Sequence, residues 1–107
     1  MNQLLIIEDE PVIRGALRRL LERHGHRVSE AESVEAAQAA GPLGDFNLII
    51  TDLRLPGRPG NTVLELAPEV PVIIMTSFAT VNSAVEAMKN GAADYIAKPF
   101  DHDELVM

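Results

Sequence analysis

The stretch Phe46–Gly57, FNLIITDLRLPG, decides the fold, because an apolar run within it ends directly at an acidic side chain. Phe46 and Leu48–Ile50 supply the apolar residues, Asp52 follows them, and Leu55–Gly57 then form a turn. This pattern is typical of a strand in a parallel sheet that is covered on both faces. Such sheets bind their ligands at the carboxyl ends of the strands, which makes Asp52 a candidate site residue. Taken alone, Asp52 is better explained as a turn residue that hydrogen-bonds to its own backbone.

The rest of the chain predicts four further strands that alternate with helices. These strands are predicted at Leu4–Ile7, His26–Ala31, Val70–Met75 and Ala93–Ala97. The second of them has few apolar residues, so we expect it at an edge of the sheet. The alternation predicts an α/β fold with a doubly wound, five-stranded parallel sheet of the flavodoxin-like class.

Helices are indicated by apolar residues at helical spacing and by capping residues at their ends. They are predicted from Pro11 to a C-cap at Gly25, from an N-cap at Ser33 to Ala40, over Asn61–Ala67, and from Val81 to a C-cap at Gly91. The apolar stripe of the first helix includes Val12, and that of the fourth includes Val81.

Length and composition restrict the chain to one domain. It has 107 residues, 47% of them hydrophobic, which is enough for a single modest core. Asp101 and Glu104 have the spacing of a capping box for a fifth helix, yet only Leu105–Met107 follow. We therefore expect residues 1–107 to form one domain with an incomplete last helix, and the natural polypeptide to continue beyond Met107.

Charge and residue usage exclude several classes of partner. A formal net charge of -7 argues against direct binding of nucleic acid by this domain. The absence of cysteine excludes disulfides and thiolate metal sites, and no apolar run approaches the roughly 20 residues of a membrane span. The N-terminal sequence MNQLLIIEDE lacks the basic region of a signal peptide, so we expect a cytoplasmic protein without membrane contact.

Polar residues follow the predicted strands at one end of the sheet. The acids Glu8, Asp9 and Glu10 follow the first strand, Asp52 follows the third, and Thr76 and Lys98 follow the fourth and fifth. Taken singly, Thr76 is better explained as a turn residue and Lys98 as a solvated surface lysine. Their shared position at the strand ends favours a common site.

This set of side chains suits the chemistry of a phosphoryl group. Two carboxylates about 4 Å apart repel each other by roughly 4 kcal/mol at an effective dielectric constant near 20, so the acids favour a bound cation. Mg²⁺ is the hard, oxygen-seeking ion for such a site. An aspartate is ionised at neutral pH and can attack phosphorus directly to form an acyl phosphate. Lys98 and the Thr76 hydroxyl can then bind phosphoryl oxygens that Mg²⁺ does not reach.

Four motifs in this order, IIEDEP, TDLRLPG, PVIIMTS and DYIAKPF, resemble the receiver domains of two-component response regulators. The resemblance covers essentially the whole chain and implies the strand order 2-1-3-4-5. It implies that Asp52 accepts the phosphoryl group and ligates Mg²⁺, that Asp9 is a direct Mg²⁺ ligand and Glu8 a ligand through water, and that the Arg54 backbone carbonyl is a further ligand.

The same resemblance implies a switch that responds to phosphorylation. It makes Thr76 the switch threonine, Lys98 the phosphate-binding lysine, and Tyr95 the switch aromatic residue, although Tyr95 can also be explained as a core tyrosine. Lys98 and Pro99 match the usual cis peptide bond of the family. Phosphorylation of Asp52 is expected to draw Thr76 towards the phosphoryl group and to turn Tyr95 inward, which shifts the population between two packed states.

Partners follow from the family as well. A sensor histidine kinase is the expected phosphodonor, and the face made by helix four, strand five and helix five often forms a dimer in this family. The segment from Pro71 to Phe100 looks most like receivers of nitrogen-regulator-type activators, which implies regulation of transcription through a further output domain. One departure is that the chain between Asp52 and Pro71 is about one helical turn shorter than the usual pattern. Any interface that uses helix three is therefore in doubt.

Three alternatives stay open at the level of sequence. A stand-alone receiver would act by protein contacts alone. A phosphatase of the haloacid dehalogenase type also uses an aspartate, Mg²⁺, a hydroxyl and a lysine, but it needs a second aspartate where this chain has Arg54. A flavodoxin-like cofactor binder needs a polar, uncharged phosphate loop after strand one, where this chain has acids. The histidines, predicted to be surface residues without ligand spacing, are His24, His26 and His102.

Overall fold

The computed structural model describes residues 2–77 and 79–98. The five strands are β1 (Gln3–Ile7), β2 (Arg27–Ala31), β3 (Leu48–Asp52), β4 (Val72–Thr76) and β5 (Asp94–Ala97). The α-helices are α1 (Pro11–Arg23), α2 (Val34–Ala40), α3 (Thr62–Leu66) and α4 (Val81–Lys89), and a 3₁₀ turn covers Leu43–Asp45. The predicted fifth helix, together with Pro99 and His102, lies outside the described residues.

The five strands form one parallel sheet in the order β2-β1-β3-β4-β5, as predicted. Strand β2 lies at an edge, and β3 lies between β1 and β4. The register places Thr51 opposite Ile7, and Asp52 opposite Met75. Because the strands are parallel, their carboxyl ends share one edge of the sheet, and the loops after β1 and β3 therefore meet there.

Each face of the sheet carries its own apolar core. On one face α1 contributes Leu17, Leu20 and Leu21, which pack with Leu4, Ile6, Val28, Ile50, Met75 and Ile96. On the other face α2, α3 and α4 contribute Val34, Ala37, Val63, Leu64 and Ala87, which pack with Leu5, Ile7, Ile49, Val72 and Ile74. Alternate residues of β1 thus enter opposite cores, as expected for a strand buried on both sides.

Capping residues fix where the helices begin and end. The Ser33 hydroxyl accepts a hydrogen bond of 3.0 Å from the Ala36 N–H, as predicted for an N-cap. Thr80 and Ser83 form a reciprocal capping box at the start of α4. Gly25, after α1, has a φ of 86°, a left-handed conformation that favours glycine.

None of the helices among the described residues has the length and apolar character that a membrane span requires.

Some predicted details of the elements are wrong. Strand β3 begins at Leu48, because Phe46 directly follows the 3₁₀ turn. Strand β4 begins at Val72, two residues after the predicted start at Val70, and ends at Thr76, the predicted strand end. Val12 and Val81 lie in the first turns of α1 and α4 with 81% and 80% of their surface exposed, so neither belongs to the core. The fully buried positions of α1 begin at Leu17, although Ile13 in the first turn is partly buried and packs against the same core.

Candidate functional site

Three carboxylates converge where β1 and β3 end. Ligand oxygens of Glu8, Asp9 and Asp52 all lie within 4.8 Å of one another. Glu8 and Asp52 are buried, whereas Asp9 is exposed. The structure therefore brings together three of the acids that the strand-end pattern predicts. Glu10 is exposed and is outside this group; its backbone N–H donates a hydrogen bond of 3.2 Å to Glu8 Oε2.

Lys98 connects the carboxylates of two strands from the end of β5. Its Nζ donates hydrogen bonds to Glu8 Oε1 and, over 2.8 Å, to Asp52 Oδ2. The side chains of Lys98, Glu8 and Asp52 are only 7%, 0% and 11% exposed, so the contact is shielded from water. Lys98 is thus an interior ion-pair partner, and the interpretation as a solvated surface lysine is wrong.

Burial and charge act in opposite directions on the pKa values at this site. Burial is the largest influence on Glu8 and raises its pKa, against the lowering effect of the Lys98 hydrogen bond. For Lys98, burial alone would lower the pKa, but the hydrogen bonds to Asp52 and Glu8, together with their charges, raise it overall. Lys98 therefore stays protonated and balances part of the negative charge.

The loop after β3 lies tightly against the backbone of Asp52. Asp52 Oδ1 accepts a hydrogen bond of 3.2 Å from the Arg54 N–H, and the Gly60 N–H donates to the Leu53 carbonyl over 2.9 Å. A Cβ atom at Gly60 would lie 1.8 Å from the Asp52 carbonyl oxygen, so only glycine permits this approach. The predicted role of the Arg54 carbonyl as a metal ligand stays a prediction.

Thr76 is the last residue of β4, the strand next to β3, and Tyr95 lies on β5. Thr76 is fully buried, and its carbonyl accepts a hydrogen bond of 2.8 Å from the Lys98 N–H. Tyr95 is half-buried and packs against the core on the α4 side of the sheet. Its hydroxyl is hydrogen-bonded to Ser83 Oγ. The side chain of Tyr95 therefore joins β5 to the first turn of α4.

Oxygen donors alone make up the acidic group, and hard divalent cations such as Mg²⁺ favour such a donor set. Three carboxylates against one ammonium leave an excess of negative charge that a cation would balance. Residues Glu8, Asp9 and Asp52 therefore fit a magnesium site.

The sequence interpretation missed two residues that shape this region. Gly60 is one. Its close approach to β3 is indicated in the sequence only by the turn-forming composition of the segment PGRPG. Arg14 is the other: it lies on α1, and its Nη1 donates a hydrogen bond of 2.7 Å to the Glu8 carbonyl. Of the histidines, His24 is exposed as predicted, while His26 is partly buried.

Residues 4–107 match the response regulator receiver domain. The chain belongs to this family. Receiver domains are regulatory signalling modules of two-component systems, and the response regulators that carry them are typically transcriptional regulators. The predicted family and the flavodoxin-like fold are thereby confirmed.

Curated relatives are much longer than this chain. The response regulator protein FleR of Pseudomonas aeruginosa is 40% identical over 103 residues, covering 92% of this chain and 22% of FleR. The nitrogen assimilation regulatory protein NtrX of Azorhizobium caulinodans is 36% identical over 112 residues, covering 99% of this chain and 25% of NtrX. This receiver thus has relatives among nitrogen-regulator-type proteins, as predicted. Among the first relatives, the chain spans between 22% and 50% of their length.

Solved structures share the fold over nearly the whole chain. A response regulator from Burkholderia pseudomallei with a phosphorylated aspartic acid, a calcium ion and citrate matches with a TM-score of 0.86 and 31% identity, over 99% of this chain and 65% of that one. The beryllofluoride-activated NtrC4 receiver domain dimer matches with a TM-score of 0.89 and 28% identity, over 99% of this chain and 91% of that one.

Proposed function

We propose that this receiver is a phosphorylation-dependent switch that accepts a phosphoryl group from a sensor histidine kinase onto Asp52 in the presence of Mg²⁺. The observation that carries the proposal is the Lys98 ammonium, which hydrogen-bonds to the buried carboxylates of Glu8 and Asp52. Asp52 lies at the end of β3, the central strand, close to the exposed carboxylate of Asp9. The response regulator protein from Burkholderia pseudomallei carries a phosphorylated aspartic acid, which supports the same chemistry here.

Each residue of the site has a definite task in this proposal. Glu8, Asp9, Asp52 and the Arg54 carbonyl hold Mg²⁺, which when bound neutralises the pocket and orients the phosphoryl oxygens. An Asp52 carboxylate oxygen attacks phosphorus, the bond from phosphorus to the donor atom breaks, and the donor leaves with its electron pair. Lys98 and Thr76 bind the phosphoryl oxygens. Incubation with acetyl phosphate should give one acyl phosphate, and an unlabelled chain would refute the proposal.

Magnesium should stabilise the fold through the three carboxylates. At a Mg²⁺ concentration one hundred times the dissociation constant, binding linkage adds about 2.7 kcal/mol to the free energy of unfolding. We expect Asp9→Asn to weaken Mg²⁺ binding by at least about tenfold, which removes at least about 1.3 kcal/mol of this gain at the same concentration. Thermal unfolding with and without Mg²⁺ measures both effects.

Glu10→Gln is the matched control for this magnesium measurement. Glu10 neighbours Asp9 in sequence and is likewise exposed, but its carboxylate lies outside the metal-binding group. Its substitution should leave the Mg²⁺-dependent rise in melting temperature close to that of the unmodified protein. An equal loss of the rise in both variants would assign it to general charge screening and contradict a site at Asp9.

Phosphorylation should be transmitted through Thr76 and Tyr95. In the proposal Thr76 moves towards the phosphoryl group and Tyr95 turns inward, which requires the hydroxyl of Tyr95 to leave Ser83. Beryllofluoride with Mg²⁺, a mimic of the phosphorylated state, should therefore shift the amide resonances of Thr76, Ser83 and Tyr95. Resonances at the opposite end of the sheet, such as that of Asp45, serve as the control. Unchanged spectra around Thr76 and Tyr95 would contradict the switch.

Partners and context form the last part of the proposal. Residues 1–107 constitute the receiver domain of a cytoplasmic transcriptional regulator whose output lies elsewhere in the whole protein, and the receiver itself does not bind nucleic acid. The face of α4 and β5 changes its partner on phosphorylation and can form a homodimer together with the predicted fifth helix. Its exposed Val85 and Met88, and the dimeric NtrC4 receiver, support this face.

A further inference from the structure

Arg14 reaches back from α1 to the loop that carries the acids. Arg14 is the fourth residue of that helix, and its Nη1 donates a hydrogen bond of 2.7 Å to the main-chain carbonyl of Glu8. The same guanidinium lies 3.5 Å from Glu30 on β2, measured from Nε to Oε1. Its side chain is 21% exposed, so most of it is withdrawn from solvent.

Glu30 is itself held in place by a second arginine. Arg18 Nη1 donates to Glu30 Oε2 over 2.7 Å, and Arg18 Nε lies 3.3 Å from Glu22 Oε2 one turn along α1. Arg14 and Arg18 therefore share one partner, but the backbone contact with the acidic loop belongs to Arg14. Arg14 can therefore influence the acidic site, whereas Arg18 takes part only in surface ion pairs, which contribute little to stability.

The contact with Glu8 fixes the peptide group that leads to Asp9. The N–H of Glu8 donates a hydrogen bond of 3.0 Å to the Ala31 carbonyl of β2, which extends the pairing beyond Ile7, the last residue of β1. The Glu8 carbonyl, which belongs to the peptide group shared with Asp9, is bound by Arg14. Rotation of that peptide would redirect the exposed Asp9 side chain.

We infer that Arg14 is a positioning residue for the metal site, which orients the Glu8–Asp9 peptide and thereby the Asp9 carboxylate. The inference rests on the proposed function, because it concerns the same Mg²⁺ ion. Arg14 acts on the metal through the backbone and does not contact the reacting groups. A planar guanidinium suits this task, because it can donate to the carbonyl and to Glu30 at once.

The experiment measures Mg²⁺ affinity by amide chemical shift titration of the intact 107-residue chain. Arg14→Ala should weaken binding by about tenfold, the lower range for loss of a residue that orients a metal ligand. Arg14→Lys, which keeps a charged donor, should recover part of the affinity. Arg18→Ala should stay within about twofold of the unmodified protein, because it leaves the Glu8 contact in place.

A readout without metal distinguishes positioning from general destabilisation. In the absence of Mg²⁺, Arg14→Ala should shift the amide resonances of Glu8 and Asp9, and Arg18→Ala should not. If Arg14→Ala does not fold, Arg14→Met replaces it, since it keeps most of the aliphatic volume but loses the guanidinium, and it should also weaken Mg²⁺ binding. Arg18→Met is then the matched control and should bind Mg²⁺ normally.

Two results would overturn the inference while leaving the proposed function intact. One is Mg²⁺ affinity in Arg14→Ala equal to that of the unmodified protein. The other is an equal loss in Arg14→Ala and Arg18→Ala, which would assign the effect to the shared ion pairs with Glu30. Absence of Mg²⁺ binding by the unmodified protein would overturn the proposed function and this inference together.

Discussion

Asp52→Asn should abolish the incorporation of phosphate from acetyl phosphate. An amide lacks the ionised oxygen that attacks phosphorus, and the substitution keeps nearly the same volume at the end of β3. The variant should still fold, because the oxygen of the introduced amide can accept the hydrogen bond from the Arg54 N–H, which is 3.2 Å from Oδ1 of Asp52. Mass spectrometry of the intact protein, with and without Mg²⁺, measures the labelling.

Asp45→Asn is the matched control for this labelling. Asp45 is an exposed aspartate in the 3₁₀ turn before β3, at the opposite end of the strand from Asp52. This variant should be labelled to the same extent as the unmodified protein, because Asp45 lies away from Glu8, Asp9 and Asp52. Labelling of Asp52→Asn at a comparable level would show that another residue accepts the phosphoryl group and would overturn the assignment of Asp52.

Most of the fold could be predicted because the strands are short, apolar and interrupted by polar residues at one end. Leu48–Asp52 is the clearest case: its position between β1 and β4 buries it on both faces, so hydrophobic residues are required along most of its length. Strand β2 could be assigned to an edge by the same logic, since only Val28 and Ala31 in it are buried. Where burial restricts a position to hydrophobic residues, the pattern of hydrophobic residues in the sequence predicts the secondary structure.

Features that depend on packing between distant segments could not be read from local pattern. Val12 has helical spacing but projects from the first turn of α1, and nothing in its neighbours in sequence reveals that exposure. The contact of Lys98 with Glu8 joins residues 90 positions apart, so the sequence could place both at one end of the sheet without showing that they pair. In sequence Arg14 looks like the other arginines of α1, and only the folded structure shows its contact with the loop after β1.

Lys98 differs from an ordinary surface lysine because the carboxylates it pairs with are buried and are not hydrated by solvent. Glu8 is 0% exposed, and Asp52 is 11% exposed at the side chain. The attraction between the Lys98 ammonium and these carboxylates offsets the free-energy cost of removing them from water. Without the lysine, no ammonium balances the buried carboxylates of Glu8 and Asp52 or the nearby carboxylate of Asp9. Their mutual repulsion and the loss of their buried partner then destabilise the folded state.

Lys98→Met should therefore lower the free energy of unfolding by about 3 kcal/mol in the absence of Mg²⁺, the cost of leaving a buried charge without its partner. Methionine replaces most of the aliphatic volume, so loss of packing contributes little to this effect. Added Mg²⁺ should stabilise the variant by more than it stabilises the unmodified protein, because the three carboxylates then have no competing ammonium. Urea unfolding with and without Mg²⁺ gives both quantities.

Lys89→Met is the control that decides between a specific ion pair and a general loss of positive charge. Lys89 is the exposed last residue of α4, and its substitution alters the net charge by the same amount as that of Lys98. Its free energy of unfolding should change by less than about 0.5 kcal/mol, as is usual for surface substitutions. Equal destabilisation of the two variants, or an equal response to Mg²⁺, would show that Lys98 does not balance the carboxylates. A large, Mg²⁺-reversible loss in Lys98→Met alone would tie the stability of this receiver to the same lysine that binds phosphoryl oxygens in the proposed function.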